Sequence, residues 1–148
     1  MNQTIQRFGH PDTLVAEYEH WVVLLRPEQP TLGSLVLAAK SDATAFAALD
    51  PAAFAELATV VWHIESTLER AVGYARINYL MLMMVDPNVH FHVLPRYDGA
   101  RGYGGVEVPD AGWPKAPALG QAVALTPAQI DELATWLKGL WPDVTATR

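Results

Sequence analysis

Asn88-Val89-His90-Phe91-His92-Val93-Leu94-Pro95-Arg96 alternates polar and apolar side chains from Asn88 to Val93. A period of two belongs to a β-strand. Asn88, His90 and His92 then share one face, while Val89, Phe91 and Val93 share the other. The apolar face can bury in a core as the imidazoles look into a groove. At ~3.3 Å rise per residue, same-face neighbours sit about 7 Å apart, so one phosphate can touch both rings. Three readings of the pair stay open on these residues alone. The imidazoles are structural; or they begin an H-x-H metal site; or one is a nucleophile toward phosphorus. A metal needs a third ligand. Val93–Tyr97 holds no Glu, Asp98 falls in a glycine-rich stretch, and His10, His20 and His63 are far off in sequence. A nucleophilic role needs neutral imidazole, available near pH 7 because the reference pKa is ~6.5. Attack on phosphorus gives a covalent phosphoramidate and splits one displacement into two easier steps.

Outward from this stretch, Asp86-Pro87 marks a turn, and Arg76–Val85 reads as the preceding apolar strand. Its methionines, Met81, Met83 and Met84, read as core filler. Before it stand the signals of a helix: Asp50 as N-cap, Pro51 at the first helical position, and Gly73 as the stop. Phe54, Leu57, Val61, Ile64 and Leu68 follow one another at steps of three and four and are expected to form its core face. Such a helix of ~20 residues is about 30 Å long. In the first third, Thr13–Glu17, His20–Arg26 and Ser34–Ala39 read as strands, with Pro27, Pro30 and Gly33 punctuating the loop between the last two. Connections this short favour antiparallel neighbours.

Downstream, Pro95 is expected to end easy ladder pairing. Tyr97–Gly105 contains Gly99, Gly102, Gly104 and Gly105 and reads as a mobile loop, with a lid over the histidines as its functional version. Trp113 reads as a packed residue, or as one lining a base pocket or a subunit contact. Thr126, Pro127 and Gln129 announce a last helix through a capping box. Its apolar side carries Leu133, Trp136, Leu137 and Leu140. Pro142 closes it, and the tail beyond is expected to fray.

Length and composition bound the answer. A chain of 148 residues that is 51% apolar can bury a real core, so a single domain over 1–148 is expected and general disorder is excluded. With 10 basic and 16 acidic residues the chain lacks the basic footprint of general nucleic-acid binding. No cysteine is present, which removes disulfides, thiolate nucleophiles and Cys-based zinc sites. The strongest apolar run, Tyr79–Val85, is far short of the ~20 residues of a membrane span. The start, Met1–Gly9, has no apolar signal core. A cytoplasmic location is the expectation.

Asn88–Arg96 resembles the histidine-triad motif, His-φ-His-φ-His-φ-φ with φ apolar, which in that superfamily often runs into Pro-Arg. Leu24–Gly33 with the apolar run to Ala39 resembles the superfamily's strand–proline loop–glycine–strand unit. Arg7-Phe8-Gly9 resembles the start of its Fhit-like branch of dinucleoside polyphosphate hydrolases. The likeness covers about residues 7–97, the motif-bearing core; the loop and C-terminal helix occupy about 98–142, and the tail from Arg101 onward is not placed by the family motif. The resemblance implies an α+β fold. A strongly bent antiparallel sheet of about five strands would carry a long central helix and a C-terminal helix, usually in a homodimer. It implies hydrolysis or transfer at the α-phosphate of a dinucleoside polyphosphate or nucleoside phosphoramidate, with no cofactor and no resident metal. On that pattern His90 is the nucleophile, forming a nucleotidyl-histidine. His92 donates to the phosphate or leaving-group oxygen. Asn88, standing where the family has its first His, would act as orienter. Arg26 and Arg96 become candidate phosphate contacts. Leu24, Val36 and Phe8 become candidate base contacts. The chain departs from the hydrolase branch at Met83–Pro87, which has no Gln, Ser or Gly to cradle phosphate, so neutralisation falls to Arg26, Arg96 or the loop with Arg101. Two other functions stay in view: a nucleotide-binding module without turnover, and a metal-dependent enzyme using His90 and His92.

Overall fold

A computed structural model describes residues 1–148. Its centre is a five-stranded, wholly antiparallel sheet. Across the sheet the order is β1 (Leu14–Glu17), β2 (Trp21–Leu25), β4 (Leu35–Ala39), β6 (His90–Arg96) and β5 (Arg76–Leu80). β3 (Glu28–Gln29) leaves the sheet in the proline loop and pairs with β9 (Val123–Ala124). The α-helices are α1 (Gln3–Arg7), α2 (Pro51–Val72) and α3 (Pro127–Leu140). None of them is long and apolar enough to cross a membrane.

Both faces of the central strands are covered, which explains why β2 and β4 are buried at every position. Trp21, Val23, Leu25, Leu35, Leu37 and Ala39 turn toward α2 and join Val60, Ile64 and Leu68 in the main core. Val22, Leu24, Val36 and Ala38 turn the other way and pack on Ile5 of α1. A strand buried on one face only would alternate; burial on both gives the continuous apolar runs seen here.

α2 starts and stops where its sequence says. The Asp50 carboxylate accepts from the Ala52 N–H at 2.8 Å, and Gly73 takes a left-handed conformation with φ of 57°. Its buried stripe is offset from the expected one. Ala53, Val60, His63, Ile64, Thr67, Leu68 and Val72 face the sheet. Phe54, Leu57, Ala58, Val61 and Trp62 line a surface depression on the outer side. The C-terminal tail is docked rather than frayed: the buried His63 ring, which accepts from the Tyr18 hydroxyl at 2.7 Å, meets the Ala146 carbonyl at 2.9 Å.

Four further expectations need correction. β5 ends at Leu80, because its partner β6 pairs no further back than His92 on that side. Residues 81–87 leave the sheet, and Leu82, Met84 and Val85 are exposed rather than core filler. Pro95 does not end β6: pairing with β4 stops at Val93, while pairing with β5 continues through Pro95 to Arg96. The glycine-rich segment is no mobile loop but a hairpin of β7 (Ala100–Tyr103) and β8 (Val106–Pro109). Gly104 and Gly105, with φ of 57° and 81°, make its turn, the conformation a two-residue hairpin loop demands. The hairpin packs on the helices: the Arg101 guanidinium donates to the Val72 carbonyl, and Tyr103 stacks on Trp136 with centroids 4.0 Å apart. It lies away from the histidines, so it is not their lid.

Candidate active site

The site is built where β6 begins. Pairing sets Ala38 opposite His90 and Val36 opposite His92. Both rings therefore project on the α1 side, while Phe91 and Val93 pack into the main core. The rings are adjacent, with centroids 5.1 Å apart and planes at 80°. Phe8 covers both, 5.6 Å from His90 and 5.7 Å from His92. Residue exposure falls to 2% at His90 and 7% at His92.

The two rings are held in opposite tautomers. His90 Nδ1 lies 2.7 Å from the Asn88 carbonyl oxygen. A carbonyl only accepts, so Nδ1 carries a proton, and in the neutral ring the lone pair is left on Nε2. At His92 the partner is a donor: Arg26 Nε–H points at Nδ1 across 3.4 Å. Nδ1 accepts, and the proton sits on Nε2. One neutral ring thus offers a lone pair and its neighbour an N–H. Burial, then the Arg26 charge, then His90 push the His92 pKa down to about 4, so its neutral state holds at pH 7. Arg26 is fixed in turn. Its Nη1 donates to the Glu28 carbonyl at 2.7 Å, and the buried Gln29 amide donates to the Arg26 carbonyl at 2.6 Å.

Asn88 orients through its backbone. Its side chain lies on the α1 side like the two rings, with Val89 turned to the main core, but it is spent on α1 and the Asp42 carbonyl. Oδ1 accepts from the Thr4 hydroxyl at 3.0 Å and the Thr4 N–H at 3.3 Å, and Nδ2 donates to the Asp42 carbonyl at 3.0 Å. Leu24 and Val36 lie on the histidine face but are fully covered by the cluster around Ile5.

Arg96 is placed elsewhere and is not free to hold phosphate. Its guanidinium grips Asp110 at 2.7 and 3.0 Å and also donates to Asn78 Oδ1 and the Lys115 carbonyl, each at 2.8 Å. Trp113 lines a depression beside Arg76, Asn78 and Arg96, not a pocket at the histidines. No third His, Cys, Asp or Glu joins His90 and His92 in a group able to hold a metal ion.

Sequence reasoning named Phe8 and Arg26 of the rim but missed Arg7 and Glu28. A cavity of about 370 Å3 opens over the site between Arg7, Phe8, Arg26, Pro27, Glu28 and Asp86. Arg7 Nε reaches Asp86 Oδ1 at 2.9 Å across it. Asp86 therefore faces the mouth with a cation already on it. The short helix that brings Thr4, Ile5 and Arg7 here carries only Ile5 as an apolar signal, too little for a periodicity.

Solved structures share this architecture. A histidine triad protein from Bradyrhizobium japonicum is 19% identical, with a TM-score of 0.73 over 95% of this chain and 96% of that one. A histidine triad protein from Sinorhizobium meliloti 1021 is 20% identical, with a TM-score of 0.70 over 93% of each chain. A hypothetical histidine triad nucleotide-binding protein from Sulfolobus tokodaii is 20% identical, with a TM-score of 0.63 over 86% of this chain and 82% of that one. Among curated protein sequences none matches significantly. The profile of the HIT domain matches residues 7–99, which span the strands, the long helix and both imidazoles; the chain belongs to the HIT domain family.

Proposed function

We propose that the protein cleaves a nucleotide at its α-phosphate, as a hydrolase or transferase acting on a dinucleoside polyphosphate or a nucleoside phosphoramidate. The observation that carries this reading is the tautomer pair: a lone pair on His90 Nε2 beside an N–H on His92 Nε2. His90 Nε2 attacks the α-phosphorus. The N–P bond forms as the bond to the leaving group breaks, and His92 Nε2–H bonds to the oxygen, or amine nitrogen, that takes up the departing charge. The His90 ring becomes a cation in the phosphoramidate, and the Asn88 carbonyl stabilises its Nδ1–H. Arg26 adds a positive charge at the phosphate, where the planar fork suits a pair of oxygens. Water then attacks phosphorus and the N–P bond breaks, which returns His90. The Arg7-Phe8-Gly9 start supports a Fhit-like substrate with two nucleoside ends.

A second reading is a nucleotide-binding module without turnover. The commitment of the Asn88 side chain to Thr4 and the Asp42 carbonyl favours it, since this amide is held by the protein rather than turned to a substrate. We also propose a homodimer, supported by the outer apolar face of α2 and by exposed Leu82, Met84 and Val85 beside edge strand β5. Hydrolysis of a dinucleoside tetraphosphate, run in excess chelator, tests the main reading. Turnover that survives chelation and drops by at least about 10³-fold in His90→Ala supports it. Tight binding with no turnover supports the module. Turnover that requires added metal contradicts the nucleophile.

A further inference from the structure

The N-terminal helix occupies the ground a substrate would need. Ile5 is fully buried against Val22, Leu24, Val36 and Ala38, the apolar surface next to the rings. Phe8 lies over both imidazoles. With these two side chains in place, His90 is 2% and His92 7% exposed. We propose that residues 2–8 are a lid, latched by Asn88 and Asp86 and lifted for substrate to reach His90.

Three features support a lid over a fixed wall. First, the latch is polar and local. Thr4 and Asn88 exchange three hydrogen bonds: the Thr4 hydroxyl and N–H donate to Oδ1, and the Asn88 N–H donates to the hydroxyl at 3.2 Å. Asn2 Nδ2 donates to the Ala39 and Ser41 carbonyls, and Arg7 pairs with Asp86. Second, α1 has five residues, far below the length at which a helix is stable by itself. Its order comes from docking, and undocking melts little else. Third, a hinge is present. Gly9 has φ of 91°, and one side-chain hydrogen bond crosses it, from the Thr13 hydroxyl to the Phe8 carbonyl at 2.7 Å, a bond that lifting Phe8 must break. The Asn at the family's first His position thereby gains a role: it ties the lid to the strand that bears the nucleophile.

The inference rests on His90 and His92 being the reactive groups, and its test is independent of turnover. The chain has no cysteine, and the Thr4 hydroxyl lies 3.0 Å from Asn88 Oδ1. Thr4→Cys/Asn88→Cys lacks the latch when reduced and is covalently shut once mass spectrometry shows the disulfide formed. Acylation of His90 by diethyl pyrocarbonate, mapped by mass spectrometry and scaled to His10 and His20, reads the lid. Reduction is expected to speed acylation about tenfold over wild type, the scale of one or two net hydrogen bonds. Oxidation should slow it below wild type. Arg7→Ala, a change at a half-exposed side chain, should speed it several-fold and guards against a misfolded double variant. Equal rates in the oxidised, reduced and wild-type proteins overturn the lid. Rates that respond while no form hydrolyses nucleotide keep the lid and reject the hydrolase reading.

Discussion

Which ring nitrogens carry protons decides the chemistry of the site. A backbone carbonyl sets His90 and a guanidinium sets His92. The period-two alternation makes the histidine pair legible in the sequence alone. It gives the side on which Asn88 stands but not the partners, Thr4 and the Asp42 carbonyl, that its side chain meets there. Arg26→Lys keeps a cation but loses the planar Nε–H that faces His92. A fall in kcat of roughly tenfold is expected, on the scale of one charge-assisted hydrogen bond, with little change in melting temperature. Unchanged kcat would remove Arg26 from the site. The depressed His92 pKa also ties stability to pH. The unfolded chain takes up this proton near 6.5, the folded one only near 4. Stability from neutral His92 is therefore complete above pH ~6.5 and is lost as pH falls toward 4, with a limiting slope of ~1.4 kcal/mol per unit. Denaturant titrations at pH 7, 6 and 5 should show a weaker decline in His92→Gln than in wild type. Equal slopes would mean that His92 titrates alike folded and unfolded.

At the scale of elements, local signals are readable and long-range ones are not. The caps of α2 and α3 are short-range chemistry, and each is found as its sequence announces. Three readings fail for want of a partner. The glycines after Tyr97 look like a loop until Val106 and Val108 are known to reach the main core. The stripe on α2 looks symmetric until the sheet selects one side. Arg96 looks like a motif cation until Asp110, delivered by the hairpin, claims it at 2.7 Å. That pair holds the hairpin to β6. Arg96→Ala should cost about 3–5 kcal/mol, because it leaves a buried carboxylate unpaired. Chemical denaturation checks this, and Arg96→Ala/Asp110→Ala should recover part of the loss. A cost below ~1 kcal/mol would show that water reaches Asp110 freely.

For the whole molecule, one sheet serves two purposes. Its α2 side is the main core; its α1 side carries the histidine pair under a short helix. The strand segments along the chain and the long helix follow from apolar runs and caps. The short one does not, since a five-residue helix leaves almost no pattern. The outer face of α2 and the exposed 82–85 segment predict association of two copies. Val61→Glu/Met84→Glu should shift the sedimentation coefficient to that of a monomer; an unchanged coefficient would place the interface elsewhere. The central claim, that His90 Nε2 forms a bond to phosphorus, is open to direct observation. Mixing the protein with a dinucleoside polyphosphate, quenching in base and mapping the peptides should reveal a nucleotidyl group on His90, absent from His90→Ala and not found on His92. Turnover with the adduct on His92, or with no adduct under conditions that preserve phosphoramidates, would contradict it.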